Sequence, residues 1–402
     1  MSIDPAPCGY PQQSGQPEPG SGAPPSQASP LYSIARAATE QGLAALQADW
    51  NRLSETAGSP NVFTTFDWFR VWNQPFARQD RSGRRRLEVL ALRNKNGAIA
   101  GVSPLIHRET SRLGFVVRKV EFLEIPADYN DFVLGDDPAG QSEAIVDFLV
   151  QTQEQWDLID LRSLRETGNV KAQIESALSR TSLLYRILPE APCPYLPIDG
   201  PWSGMVRRLS RSARRTLRNQ QYRLDRMSAE GLRIRIIDRP RDEAALLEKL
   251  IAVKSQKRVR GELIPPFVAR YPEVFHSLFD TLGSRGWIYV ALMELGGPPL
   301  AWQLGFRCGR ILWDFSTAYD HSFARLSPGT MLVPAILDYG FSHGYSEYDF
   351  LRGEEAYEMR WSTGSHQTFR LLIWSRRWSS RARAFVYLDF KRAVYRLFGR
   401  TS

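Results

Sequence analysis

Two stretches of this chain, about 190–200 residues apart, run through the same order of apolar segments, and that recurrence limits the fold more than any single motif. In the first, Leu31–Arg36 reads as a strand, Glu40–Glu55 as a helix and Asp67–Phe76 as a short aromatic-rich helix. Strand-length runs follow at Leu87–Leu92 and Ile99–His107, flanking Asn96-Gly97, a dipeptide suited to a hairpin turn. Val116–Ile125 and Phe132–Leu134 add strands, Ser142–Gln153 is helical, and Trp156–Leu161 is a buried strand. The second stretch repeats the order: Trp287–Leu295, Leu300–Cys308 and Arg310–Tyr319 as strands, Gly329–His343 as a helix, then Glu347–Leu351 and Thr368–Trp374. Even the strand after each helix ends alike, in Asp160-Leu161-Arg162 and in Asp349-Phe350-Leu351-Arg352. The expectation is an α/β fold with mixed sheets, built from two copies of one unit and joined through an irregular, proline-rich Pro189–Trp202.

The chain of 402 residues is long enough for two such units, taken as 31–188 and 189–375. Residues 1–30 hold eight of the 26 prolines and read as a disordered leader, without the basic start and apolar core of a secretory signal. Residues 376–402 form a separate tail. No run approaches 18 consecutive apolar residues, so no membrane-spanning helix is expected. The three cysteines, Cys8, Cys193 and Cys308, are too far apart for a disulfide framework or a zinc site, which fits a reducing cytoplasm. Five scattered histidines give no paired metal spacing, so no metal is expected.

The net charge of +9 is concentrated in two places. Residues 207–226 hold eight arginines against Asp225 alone, and residues 376–402 hold eight basic residues against Asp389 alone. In the first patch Val206, Leu209, Ala213, Leu217, Leu224 and Met227 recur at helical spacing, with arginines filling the other faces. Such a helix is either a solvated face docked on a domain or a site for phosphate, an acidic substrate or anionic lipid. The tail interleaves Trp378, Phe385, Tyr387, Phe390, Tyr395 and Phe398 with basic residues, a composition suited to a peripheral membrane contact. No helix-turn-helix, zinc or RNA-recognition signature occurs, which argues against nucleic acid.

The segment with most chemistry is a strand, a loop and a helix start. Its loop, Arg325-Leu-Ser-Pro-Gly-Thr330, brings Arg325, Ser327, Gly329 and Thr330 to a helix N-terminus, with Pro328 at the entry. Free backbone N–H groups and the helix dipole favour an anion there, and glycine lets a phosphate approach closely. The plain alternative is a helix start capped by Ser327 or Thr330. The matching loop in the first copy, Asp136-Asp-Pro-Ala-Gly140, carries two carboxylates that would repel a pyrophosphate.

The run Ala318–Trp361 resembles the CelD-type acetyltransferase family, the GNAT-related group associated with bacterial cellulose and other exopolysaccharide biosynthesis. The shared marks are, in order, Tyr319-Asp320 ending a strand, Ser327-Pro328-Gly329, a helix ending in glycine, an aspartate-bearing strand, Arg352-Gly353, and Tyr357 before Trp361. Phe63–Trp72 is similar to the family's aromatic helix and Arg211–Leu224 to its basic helix, so the likeness extends over roughly residues 31–375. One departure is Glu358, where the family commonly has lysine, so that residue's role is either missing or falls to Arg360.

The resemblance implies two tandem GNAT-like domains in a FemAB-like arrangement, the second of them binding acetyl-CoA. Its pantetheine arm would lie between Arg310–Tyr319 and Glu347–Leu351 and its pyrophosphate on Arg325–Thr330, which makes Tyr319, Arg325, Ser327, Pro328, Gly329 and Thr330 the expected cofactor-binding residues. An amine, or a sugar hydroxyl, would attack the thioester directly. Asp349 is the expected proton acceptor and Tyr357 the expected acid for the departing thiolate, with Glu354 and Glu355 as alternatives. Asp128, Asp131, Arg352 and Glu355 are expected at the acceptor, with Tyr129 in the same loop. His343 reads as a favourable helix C-terminal charge and Cys308 as core. Two other functions fit the same pattern: a FemAB-like transferase drawing on aminoacyl-tRNA, and a non-catalytic subunit of a membrane polysaccharide synthase.

Overall fold

The computed structural model describes residues 31–56, 61–79, 84–112, 115–123, 127–166, 168–240, 245–255, 272–297, 299–353, 355–377 and 380. The leader with Cys8, Glu354, most of the aromatic tail and residues 256–260 of the second unit lie outside them. Leu31–Ser402 form one compact unit. None of the described helices is long and apolar enough to cross a membrane.

The first half runs β1 (Tyr32–Ala37), α1 (Glu40–Ala44), α2 (Gln47–Thr56), α3 (Phe66–Gln79), β2 (Arg85–Asn94), β3 (Ile99–Arg112), β4 (Phe115–Phe122), β5 (Val133–Leu134), α4 (Pro138–Gln151), β6 (Leu158–Arg165) and α5 (Asn169–Ser179). Then come β7 (Leu184–Pro197), α6 (Trp202–Arg208) and α7 (Arg211–Ala229). The second half runs β8 (Leu232–Ile237), α8 (Leu246–Ser255), α9 (Pro272–Ser284), β9 (Ile288–Leu295), β10 (Pro299–Cys308), β11 (Ile311–Tyr319), α10 (Pro328–Ser342), β12 (Glu347–Asp349), α11 (Glu358–Trp361) and β13 (Gly364–Trp374).

The strands form one sheet in the order β1-β2-β3-β4-β6-β13-β7-β12-β11-β10-β9-β8, with β5 on β3. Its two ends repeat each other. β1 to β4 form an antiparallel meander and β4 pairs parallel with β6; β8 to β11 do the same and β11 pairs parallel with β12. The expected turn at Asn96-Gly97 closes the β2–β3 hairpin, with Gly97 at φ 79° and the Asn94 side chain accepting from Asn96 N and Ala98 N.

The centre of the sheet departs from the expectation. The sequence predicts an irregular Pro189–Trp202, yet Pro189–Pro197 belong to β7, which pairs with β13 along most of its length and with β12 at its end. Prolines are tolerated here because one edge of β7 is largely unpaired. Pro194 O accepts from Phe350 N at 2.9 Å, so the peptide groups of Pro194, and of Pro192 two residues before it, face away from β13. At the bulge between Gln367 and Phe369, Ala191 bonds the Thr368 hydroxyl through both its N–H and its carbonyl. β13, late in the sequence, lies between β6 of the first half and β7.

Three main cores cover the sheet. One is shared by the halves: Trp50, Phe63, Trp68 and Trp72 from the first pack with Leu250, Leu278, Phe306 and Trp313 from the second. Trp68 lies edge-on to Phe306 and Phe315 at 5.4 and 5.6 Å. A second core lies under α4 and α5, and a third under α6, α7 and α10.

Candidate active site

β11 and β12 part company beside the start of α10. Their parallel pairing covers only Ile311–Glu347, Leu312–Tyr348 and Trp313–Asp349. β11 continues to Tyr319 while β12 stops, and the chain turns away at Leu351, which takes φ 62°. The β12-facing edge of β11 beyond Trp313 thus has no strand partner among the described residues. A bulge in β11 falls at the same place: Leu304 pairs with Ser316 and Gly305 with Asp314, so Phe315 is the extra residue. This is the expected parting of strands.

The Arg325–Thr330 loop stands at the open end of that gap. A Cβ on Gly329 would come within 3.2 Å of Thr317 and 3.7 Å of Tyr319, so the helix start lies directly against the end of β11. Ser327 is exposed, in the left-handed region at φ 53°, and its side chain makes no cap bond. Arg325 is exposed, whereas Pro328 is buried at the first helical position. The Thr330 hydroxyl donates to Ser327 O at 3.0 Å and accepts from Gln220 Nε2 at 3.3 Å, which ties α7 to this loop. The equivalent helix of the first half is plugged. Asp137 caps α4 by accepting from Gly140 N at 3.0 Å and also accepts from the Tyr32 hydroxyl at 2.9 Å. A carboxylate therefore occupies the place an anion would need, as the Asp136-Asp137 pair implied.

Two buried acids flank the parting, on opposite faces of the sheet. Asp349 is fully buried; it accepts from the Tyr129 hydroxyl at 2.8 Å and from Leu351 N at 2.8 Å. Burial pushes its pKa up to about 7 despite those bonds. Asp314, at the bulge of β11, accepts from the Tyr348 hydroxyl at 3.2 Å and the Tyr357 hydroxyl at 3.4 Å. Burial, with Glu358 adding repulsion, pushes it up to about 7 as well. Gln303 completes this set by donating to the Tyr348 hydroxyl. The two expected proton-transfer residues are therefore not together: Tyr357 belongs to Asp314, because alternation along β12 sends Tyr348 and Asp349 to opposite faces. Burial and the nearby Asp314 raise the Tyr357 pKa, which keeps the phenol a hydrogen-bond donor.

The aligned aspartates of the two halves differ in charge. Burial acts to raise Asp160, but Arg370 grips it through two bonds of 2.7 and 2.8 Å, Lys119 and Arg162 lie close, and its pKa falls below the usual range. Asp349 has no such fork. Around it, Arg352 pairs with Asp128 at 3.2 Å and donates to Ser163 Oγ at 3.3 Å, so two of the expected acceptor-side residues meet where the halves join. Burial raises Asp128, with Arg352 opposing. Asp131 sits apart, against Gly168 and facing Arg165, whose guanidinium stacks 5.0 Å from the Tyr129 ring. Arg165 and His366 both approach Glu347 Oε1, at 3.9 and 3.1 Å, and His366 stacks on Tyr195 at 4.2 Å. Glu347, Asp349 and His366 present ligand atoms within 4.8 Å of one another, but both oxygens of Asp349 are already hydrogen-bond acceptors.

Glu355 is exposed, and its N–H donates to Glu358 at 3.1 Å. Glu358 folds back onto this loop: a Cβ on Gly353 would lie 2.6 Å from its carboxylate. The residue that replaces the expected lysine thus braces its own turn. His343 ends α10, its ring against Tyr339 and its Nδ1 at 2.9 Å from Tyr339 O. Cys308 and Cys193 are both buried, and burial pushes Cys193 up to about 12. Sequence reasoning missed Asp314, Gln303, Tyr348, Gln220 and His366. An acid inside the apolar run Trp313-Asp314-Phe315 was the signal available for the first.

Residues 211–359 match the acetyltransferase (GNAT) domain family. The fold is similar to the crystal structure of FemX, with 12% identity and a TM-score of 0.54, covering 80% of this chain and 95% of that one. It is also similar to a conserved protein of unknown function from Bacteroides thetaiotaomicron, with 10% identity and a TM-score of 0.52, covering 85% of this chain and all of that one. No curated protein sequence matches the chain. Residues 211–359 thus match a GNAT acetyltransferase domain, within a GNAT-like arrangement of two halves on one mixed sheet.

Proposed function

We propose that this protein transfers an acyl group from an acyl-CoA, acetyl-CoA in the first instance, directly to an amine or hydroxyl of a small acceptor such as a sugar. The observation that carries this reading is the parting of β11 and β12 in front of an uncapped helix start at Ser327–Thr330. An unpaired strand edge can accept the amides of a pantetheine arm, and the Gly329 N–H, the helix dipole and Arg325 can hold a diphosphate. Direct transfer needs positioning, a donor for the developing oxyanion and a proton acceptor. Asp349 is assigned the proton-accepting role, reached through the Tyr129 hydroxyl. Tyr357 is assigned the donor to the departing thiolate, exchanging its 3.4 Å bond to Asp314 for one to the sulfur. Asp128, Arg352 and, more distantly, Asp131 and Glu355 would shape the acceptor side.

The likeness of Ala318–Trp361 to CelD-type proteins supports a place in exopolysaccharide or cell-envelope synthesis, at the cytoplasmic side, with the basic tail as a membrane contact. Aminoacyl transfer from aminoacyl-tRNA is the second reading, favoured by the tandem arrangement of the halves. Calorimetry with CoA separates the two. Binding is expected, weakened at least tenfold by Arg325→Ala and abolished by Gly329→Glu, which sets a carboxylate against Thr317 and Tyr319. No CoA binding by the intact chain sinks the proposal.

A further inference from the structure

The basic helix α7 is anchored by Ser210, which caps it by accepting from Ala213 N at 3.1 Å, and by a core line of Ala213, Gln220 and Met227. Arg211, Arg215, Arg218, Tyr222 and Arg226 follow one another at spacings of four, three, four and four residues. At helical geometry this is a straight stripe roughly 22 Å long. All five are exposed, Tyr222 by 70%. Among the described residues, none of the four arginine side chains has a hydrogen bond or an ion pair. Four unpaired guanidinium groups in a row repel one another weakly through solvent, and an anionic partner would turn that repulsion into attraction.

Beside the stripe lies a groove of about 620 Å³ between α6, α7, β8 and α10. Its lining is largely apolar and includes Trp202, Val206, Leu217, Leu224 and Ile234; Arg218, Asp225 and Asp338 also line it. A nucleic acid would engage the arginines and gain nothing from an apolar trough. An anionic bilayer engages both: lipid phosphates meet the arginines, the Tyr222 ring sits at the headgroup level, and an acyl chain enters the groove. We infer that the α7 face is a docking surface for anionic phospholipid, separate from the basic tail and independent of the identity of the donor. The Gln220–Thr330 bonds tie the opposite, core-facing side of α7 to the α10 start, so docking would hold that loop about one helix diameter from the membrane.

The test is co-sedimentation of the full chain with phosphatidylglycerol vesicles and with phosphatidylcholine vesicles. Binding to the first only is expected. Replacing Arg211, Arg215, Arg218 and Arg226 together by Gln should weaken it at least a hundredfold, since each arginine near an anionic surface is worth roughly a fivefold change. The same four positions as Lys should retain most binding. Leu224→Gln should weaken binding severalfold even at high salt, where the charge contribution is screened. Circular dichroism checks that each variant is folded, and Leu217→Gln replaces Leu224→Gln if the latter is not. Binding unchanged in the four-Gln variant, as when the tail alone carries it, overturns the inference. So does binding of an RNA duplex in preference to vesicles.

Discussion

Asp349 and Asp314 show how one strand pair can prepare two acids for different work. Both are pushed up to about 7 by burial, so each is about half ionised at neutral pH. A base with such a value is well matched to taking a proton from an amine at physiological pH. With Asp349 as the proposed base the active form is the carboxylate, so kcat/KM for acyl transfer should rise with pH and level off above about 7. Asp349→Asn should lower the plateau by 10²–10⁴-fold, the range typical for a lost general base, and remove that limb. Asp314→Asn keeps a hydrogen-bond acceptor for Tyr357 and should leave the limb in place with a smaller loss. If the limb instead disappears in Asp314→Asn alone, the base is Asp314. Asp160 is the internal contrast: in the matching position of the first half, the Arg370 fork holds its carboxylate ionised and occupied.

The element that aims Asp314 is β11 with its bulge. Phe315 is the additional residue, and the register change beside Gly305 brings Asp314 under Tyr348 and Tyr357. Gly305 is required there because a Cβ would lie 2.2 Å from the ring of Tyr289, which is fully buried and donates to Trp313 O at 3.3 Å. Gly305→Ala should cost about 1–3 kcal/mol by overpacking. Chemical denaturation should register that loss, and near-ultraviolet circular dichroism a disturbed Tyr289. A neutral outcome would mean the bulge does not depend on this contact. At α10 the contrast between the halves is again local: Asp137 fills the first helix start, whereas Ser327 leaves the second open.

At the scale of the whole molecule, the halves are interlocked rather than strung together. β13 follows every element of the second half in sequence, yet Leu371 pairs with Leu161 and packs in the core under α4 and α5. Phe63 and Trp68 reach in the other direction, into Phe306 and Trp313. One half cannot lose its core without opening the other. Scanning calorimetry should therefore show a single unfolding transition. Leu371→Ala should shift all of it by the 2–5 kcal/mol of a core truncation. Two separated transitions, with only one of them moved, would refute the interlock.

Much of this was legible locally. Apolar periodicity marked most strands and the helices α1–α4, α7 and α10, but not β7, β8, α5, α6, α8, α9 or α11; Asn96-Gly97 marked the hairpin, Asp136-Asp137 the blocked loop and Ser327-Pro328-Gly329 the open one. Each depends on neighbours a few residues apart, and their chemistry acts at that range. Strand order does not. Four prolines made Pro189–Pro197 look irregular, and only the unpaired side of β7 explains why they fit. The meeting of Tyr129 with Asp349, 220 residues apart, and the assignment of Tyr357 to Asp314 follow from pairing and from which face of the sheet each residue takes. Local preference can make a strand, but its neighbours are selected by how the shared cores close, and that is decided only when both halves are packed together.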